Sequence, residues 1–176
     1  MKTDEMEQCI VDVIRLGNRT RELNELDQRA SAHAAPSAER LAQFAKHAGD
    51  SVPPSMLRLL ALHDGISCFD YVDVDIFSTS YLIQHEQELE DEWVDAGKFA
   101  AGEIYVFARS DSDSLALAFL LRKRRADGEM PVVMIDARGV LAEYPSLADY
   151  LRSRREWFQE QVELEKADRD SLRDDE

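Results

Sequence analysis

The chain is poor in the residues that staple, ligate and cradle. It has two cysteines, Cys9 and Cys68, far apart in segments of different kind. They make neither a disulfide framework nor a zinc site, and are expected to act as reduced packing residues. Its four histidines, His33, His47, His63 and His85, include no pair at i, i+4, as a helix-borne zinc site would need. Its seven glycines form no phosphate-cradling loop, and no nucleophile elbow is present. No apolar run approaches the roughly 18 residues of a membrane span. The first residues, Met1 to Glu7, are charged and lack the apolar core of a signal peptide. The expectation is a cytoplasmic protein with no membrane partner, no metal and no cofactor.

Basic residues are also scarce where it matters. The 176 residues carry 21 Lys and Arg against 36 Asp and Glu, a net charge of −15. Charge of that sign works against nucleic-acid phosphate and anionic lipid, and favours a basic protein partner. From Leu59 to Gly97 the sequence holds ten acids and not one Lys or Arg.

What is present reads as alternating helix and sheet. Residues from about Asp4 to Ala32 are expected as one long helix with Ile10, Val13, Ile14, Leu23 and Leu26 approximating an apolar stripe. Ala30 to Pro36 then serves as a joint. A second helix follows Pro36, with Leu41, Phe44, Ala45 and Ala48 on one face and Gly49 closing it. Pro53 and Pro54 start a third, with Leu57, Leu60 and Ala61 inward and Gly65 ending it. Tyr71 to Phe77 alternates as a half-buried strand: Val72, Val74 and Ile76 on one side, Tyr71, Asp73, Asp75 and Phe77 on the other. An acidic helix runs from Ser78 to about Ala96, with Leu82, Leu89 and Trp93 as its apolar row. Strands are expected at Ile104–Ala108, Leu115–Arg122, Val132–Asp136 and Val140–Glu143, joined by short turns. Ser146 caps a closing helix, with Asp149 in the capping-box position. The expected class is α+β: a meandering, mainly antiparallel sheet of about five strands packed against helices. The divisions are a helical extension at 1–35, the main domain at 36–165 and a charged, frayed tail at 166–176.

The order from Pro36 to Phe158 resembles the SUKH superfamily, the Smi/Knr-like domain. The resemblance rests on three places. Pro53-Pro54-Ser55-Met56-Leu57-Arg58-Leu59-Leu60-Ala61-Leu62-His63-Asp64-Gly65 is similar to the family's proline-started helix ending in a polar residue and glycine. Asp75-Ile76-Phe77-Ser78 resembles its strand entering a helix after a Phe. Pro131-Val132-Val133-Met134-Ile135-Asp136 and Tyr144-Pro145-Ser146-Leu147-Ala148-Asp149-Tyr150-Leu151 resemble its late strand and closing helix. In bacteria the resemblance implies an immunity protein that binds and silences a polymorphic toxin, often a nuclease. Fungal relatives imply a second reading, a non-catalytic scaffold or regulatory binding module.

Candidate chemistry is thin. Asp73 and Asp75 could hold a cation or act as paired carboxylates, and Asp111-Ser112-Asp113-Ser114 faintly resembles a calcium loop without its Gly and distal Glu. The run Arg122-Lys123-Arg124-Arg125 has no interleaved aromatics and reads as the charged end of an edge strand, not a nucleic-acid contact. His63 is expected to cap helix carbonyls, and His85 to be solvated. The partner surface is assigned to Asp70, Tyr71, Asp73, Asp75, Glu86, Glu90 and Asp91, a negative field beside apolar groups that would steer a basic toxin domain. Trp93 continues the row of Leu82 and Leu89 and is expected in the core.

Overall fold

Serine, proline and asparagine set where the elements begin and where the chain turns back. The computed structural model describes residues 3–70, 73–110 and 115–174. The helices are α1 (Thr3–Leu23), α2 (Ala38–Ala48), α3 (Pro54–Leu62), α4 (Thr79–Asp95) and α5 (Leu147–Asp174). The strands are β1 (Ser31–Ala32), β2 (Ile66–Ser67), β3 (Val74–Ile76), β4 (Ile104–Ser110), β5 (Ala116–Leu120), β6 (Val132–Asp136) and β7 (Gly139–Tyr144). The strands form one antiparallel sheet of seven in sequential order. The architecture is therefore α+β with a meander. The count exceeds the expected five because β1 and β2 are two residues each, too short for alternation to register.

The long helix expected to Ala32 ends at Leu23. Glu25 takes the left-handed conformation (φ 59°), its N–H reaches the Glu22 carbonyl at 3.2 Å, and Leu26 N–H reaches the Arg21 carbonyl at 2.9 Å. This is a Schellman stop with glutamate in the place glycine usually takes, so no glycine marks it in the sequence. Asn18 then grips the returning chain: its Oδ1 accepts from Ala30 N (2.7 Å) and its Nδ2 donates to Ala30 O (3.0 Å). Chain reversal delivers Ser31–Ala32 to the sheet edge beside β2.

α1 is not peripheral to the core. Met6, Cys9, Ile10 and Val13 belong to the same buried cluster as the sheet, and α1 packs along α5. A Cβ on Gly17 would stand 3.2 Å from the Phe158 ring of α5 and 3.1 Å from the Arg21 guanidinium, so the missing side chain lets the two helices close up. Leu26 lies outside this stripe, 40% exposed.

Ser37 caps α2 by accepting from Arg40 N at 3.2 Å, and Gly49 (φ 52°) closes it. α3 has no cap of its own at Pro53. Glu129, from the β5–β6 connection, supplies one: it accepts from Ser55 N (3.0 Å) and Ser55 Oγ (2.5 Å), and pairs with Arg58 (3.0 Å). The inward face of α3 is Met56, Leu59 and Leu60; Leu57 is half-buried and Ala61 exposed, a rotation from the expected face. The helix ends at His63 in extended conformation, two residues before Gly65.

β4, β5 and β6 are buried along nearly their whole length, on both side-chain parities, as central strands covered on two faces are. Phe107 and Phe119 stack across β4 and β5 with centroids 4.4 Å apart. β5 stops at Leu120, and the basic run falls beyond it in the connection to β6. It is thus not the end of an edge strand, since β5 lies between β4 and β6. Arg122 pairs with Glu103, Lys123 with Glu143 (2.7 Å), Arg124 with Asp50 (3.0 Å) and Arg125 with Asp127 (3.0 Å). Ser146 and Asp149 open α5 as a reciprocal cap: Asp149 N donates to Ser146 Oγ at 3.3 Å, and Ser146 Oγ donates to Asp149 Oδ2 at 2.6 Å. α5 continues through the charged residues after Lys166 as far as Asp174.

Candidate interaction surface

The candidate surface is carried by β2, β3 and α4. Its geometry starts at the helix end. Asp64 Oδ1 accepts from Thr79 N at 2.7 Å, and Ser78 Oγ accepts from Tyr81 N at 3.2 Å, so two side chains satisfy the first turn of α4. Gly65 (φ 96°) passes beneath β3, where a Cβ would lie 2.9 Å from the Ile76 carbonyl. Asp64 and Gly65 thus have separate tasks: one caps the next helix and the other admits the strand. His63 does not cap the helix carbonyls as expected; its Nδ1 lies 3.3 Å from the His33 carbonyl.

The candidate residues fall into three groups. Asp70 is turned inward, 2% exposed. Its carboxylate accepts from Tyr150 Oη at 2.9 Å and faces Arg154 at 3.5 Å, while its carbonyl accepts from the buried Arg21 Nη2 at 2.5 Å. Asp70 is therefore an internal tie between the β2–β3 turn, α1 and α5, and not part of the exposed acidic field. Burial and the adjacent Asp70 charge push the Tyr150 hydroxyl well above its ordinary pKa. Arg21 also donates to Cys68 O at 2.7 Å, so this turn is held from α1. Tyr71 and Val72, where the expected strand begins, lie outside the described residues, as does the Asp111–Ser114 turn.

Asp73 stands just before β3 with φ 57°, so the regular alternation expected from residue 71 does not extend through it. Asp75 is half-buried on β3, and its Oδ1 accepts from Cys68 N at 2.7 Å. On α4, Glu86 pairs with His47 (2.7 Å), Glu90 accepts from Gly102 N, and Asp91 accepts from Gln87 (2.7 Å). Glu88 pairs with His85 (2.9 Å) and Glu92 with Arg109 (2.7 Å). Of these five partners on α4's acids, only Arg109 carries a permanent charge, so the helix keeps a negative face. Trp93 is buried in the row with Leu82 and Leu89.

Beside the acids lies an aromatic row that the reading of charge alone missed. Phe77 and Tyr81 stack with centroids 4.5 Å apart, and Tyr81 and His85 follow at 4.4 Å. Their spacing of four residues was the available signal. Tyr81 is 41% exposed, and His85 is therefore part of a stack instead of a freely solvated ring. A hollow of about 270 Å³ opens next to the row, reached by His33, Ser67, Asp75, Phe77 and Tyr81.

Another hollow, a groove of about 880 Å³, lies between α1 and α5. There Arg15, Arg19 and Lys166 are each bridged to an acid three residues away, and no acid–nucleophile pair faces it. Among the described residues no group of three His, Cys, Asp or Glu converges as a metal site, and no helix is long and apolar enough to cross a membrane. Burial raises the Cys9 and Cys68 thiols above their ordinary pKa, the opposite of an activated nucleophile.

No protein-family model matches this chain, and no curated protein matches it.

Proposed function

We propose that this chain is a non-catalytic binding protein of the immunity type, which holds a basic, nuclease-type toxin domain and blocks its active site. The observation that carries the reading is the α4 surface: a run of acids beside an aromatic stack whose middle ring, Tyr81, is exposed. Negative potential of this kind draws a cationic partner into encounter, while aromatic side chains supply contact area at low entropic cost. A nuclease surface is basic because its substrate is a polyanion. Occlusion requires only shape and charge, which matches a surface whose polar groups hold helix ends and one another. The SUKH-like order of motifs supports the same reading.

The test is protection. A basic nuclease toxin domain, sought among the genes neighbouring this one, is expressed in a sensitive host with and without this chain. Survival is expected only with the chain present, together with a stable one-to-one complex on size exclusion. Binding without protection would turn the assignment toward a scaffold, and neither binding nor protection would end it.

A further inference from the structure

We infer that the hollow between β2, β3 and the start of α4 is a socket for one basic side chain of the partner, an arginine or lysine. This rests on the binding-protein reading and adds the point at which the partner is held in register.

Three features define the socket. The first is an incompletely used carboxylate. Asp75 Oδ1 accepts from Cys68 N at 2.7 Å, and its Oδ2 has no hydrogen-bond partner among the described residues. Its neighbour across the strand pair, Arg109, is engaged by Glu92 at 2.7 Å, and no Lys or Arg lines the hollow. The second is an apolar wall. Phe77 and Tyr81 lie stacked along one side, suited to the hydrocarbon stem of a long basic side chain whose head is polar. The third is a fixed rim. His33 is held at both ring nitrogens, Nδ1 to the Asp64 carbonyl at 3.2 Å and Nε2 to Ser67 Oγ at 3.0 Å, so the wall facing the rings is pre-set.

The chemistry selects the occupant. An acidic side chain would meet Asp75 and the negative field of α4. An apolar one would cover the free carboxylate oxygen without giving it a donor, which costs more than the contact returns. A basic head satisfies the oxygen while its stem lies on the rings. The hollow of about 270 Å³ is on the scale of one side chain, not of a peptide segment.

The experiment uses the full chain and two small probes, N-acetyl-arginine amide and its neutral isostere N-acetyl-citrulline amide, followed by amide chemical shifts. The arginine probe is expected to give saturable shifts centred on Ser67, Asp75, Phe77 and Tyr81. The citrulline probe should bind about tenfold more weakly, the usual worth of one charge-assisted hydrogen bond. Asp75→Asn keeps an acceptor for Cys68 N but removes the charge, and should erase the difference between the probes. Tyr81→Ala, at an exposed position, should weaken both. Shifts spread over the outer acids of α4 with none at Ser67 or Asp75, or a preference for arginine that survives Asp75→Asn, would overturn the socket. Protection of cells by the chain, with the probe binding elsewhere, would sink the socket alone. A working socket without protection would sink the immunity reading alone.

Discussion

Glu129 shows how much one distant carboxylate can carry. α3 starts on prolines that bring no side-chain cap, and its first turn is satisfied instead from the β5–β6 connection. Ser55 is 1% exposed and depends on Glu129 for both its N–H and its hydroxyl, as Arg58 does for its charge. Glu129→Ala strands all three. Loss of a helix cap costs about 1 kcal/mol, and buried donors left without a partner add to it, so a total of about 2–3 kcal/mol is expected. Urea unfolding with an unchanged m-value would report it. A loss below about 0.5 kcal/mol would mean that water replaces the carboxylate at no cost. The sequence offered no route to this residue. Glu129 lies 74 positions from Ser55, and only the folded meander brings them together. Asp70 misled for the same reason: in an acidic run it resembles Asp73 and Asp75, and only the approach of Tyr150 and Arg154 from α5 makes it internal.

At the scale of elements, what could be read depended on local signals. The end of α2, the start of α4 and the start of α5 were legible because Gly49, Ser78 and Ser146 act within one turn of themselves. The end of α1 was not, because a charged residue does the work of a glycine there. Glu25 at φ 59° carries the strain a Cβ meets in left-handed backbone. Replacing it removes that strain: Glu25→Gly is expected to stabilise the fold by about 0.5–1 kcal/mol, seen as a rise in thermal midpoint. Glu25 is exposed, so little packing is lost to offset the gain. A fall in midpoint would mean that the glutamate contributes something its contacts do not reveal. The candidate site was legible to a similar degree. The run of acids on α4 could be placed from sequence, whereas the hollow needs His33, which follows β1, and Ser67 of β2, and both strands are too short to anticipate.

At the scale of the whole molecule, charge is unevenly used. The total is −15, yet acids on α5 such as Glu156, Glu160 and Glu163 are as exposed as those on α4, so net charge alone does not distinguish the two helices. If the partner is steered by the local field of α4, position must matter more than sum, because exposed charges beyond a Debye length of about 8 Å are largely screened at physiological salt. Two triple variants separate these effects. Glu88→Lys, Asp91→Lys and Asp95→Lys together change the net charge by the same amount as Glu156→Lys, Glu160→Lys and Glu163→Lys together. All six positions are exposed, so both variants should fold. Stopped-flow association with the toxin domain is then followed over rising NaCl. The α4 variant is expected to associate at least about tenfold more slowly at low salt and to lose most of its salt dependence, while the α5 variant stays close to the parent. Equal effects from both would assign the attraction to total charge and withdraw α4 as the docking face.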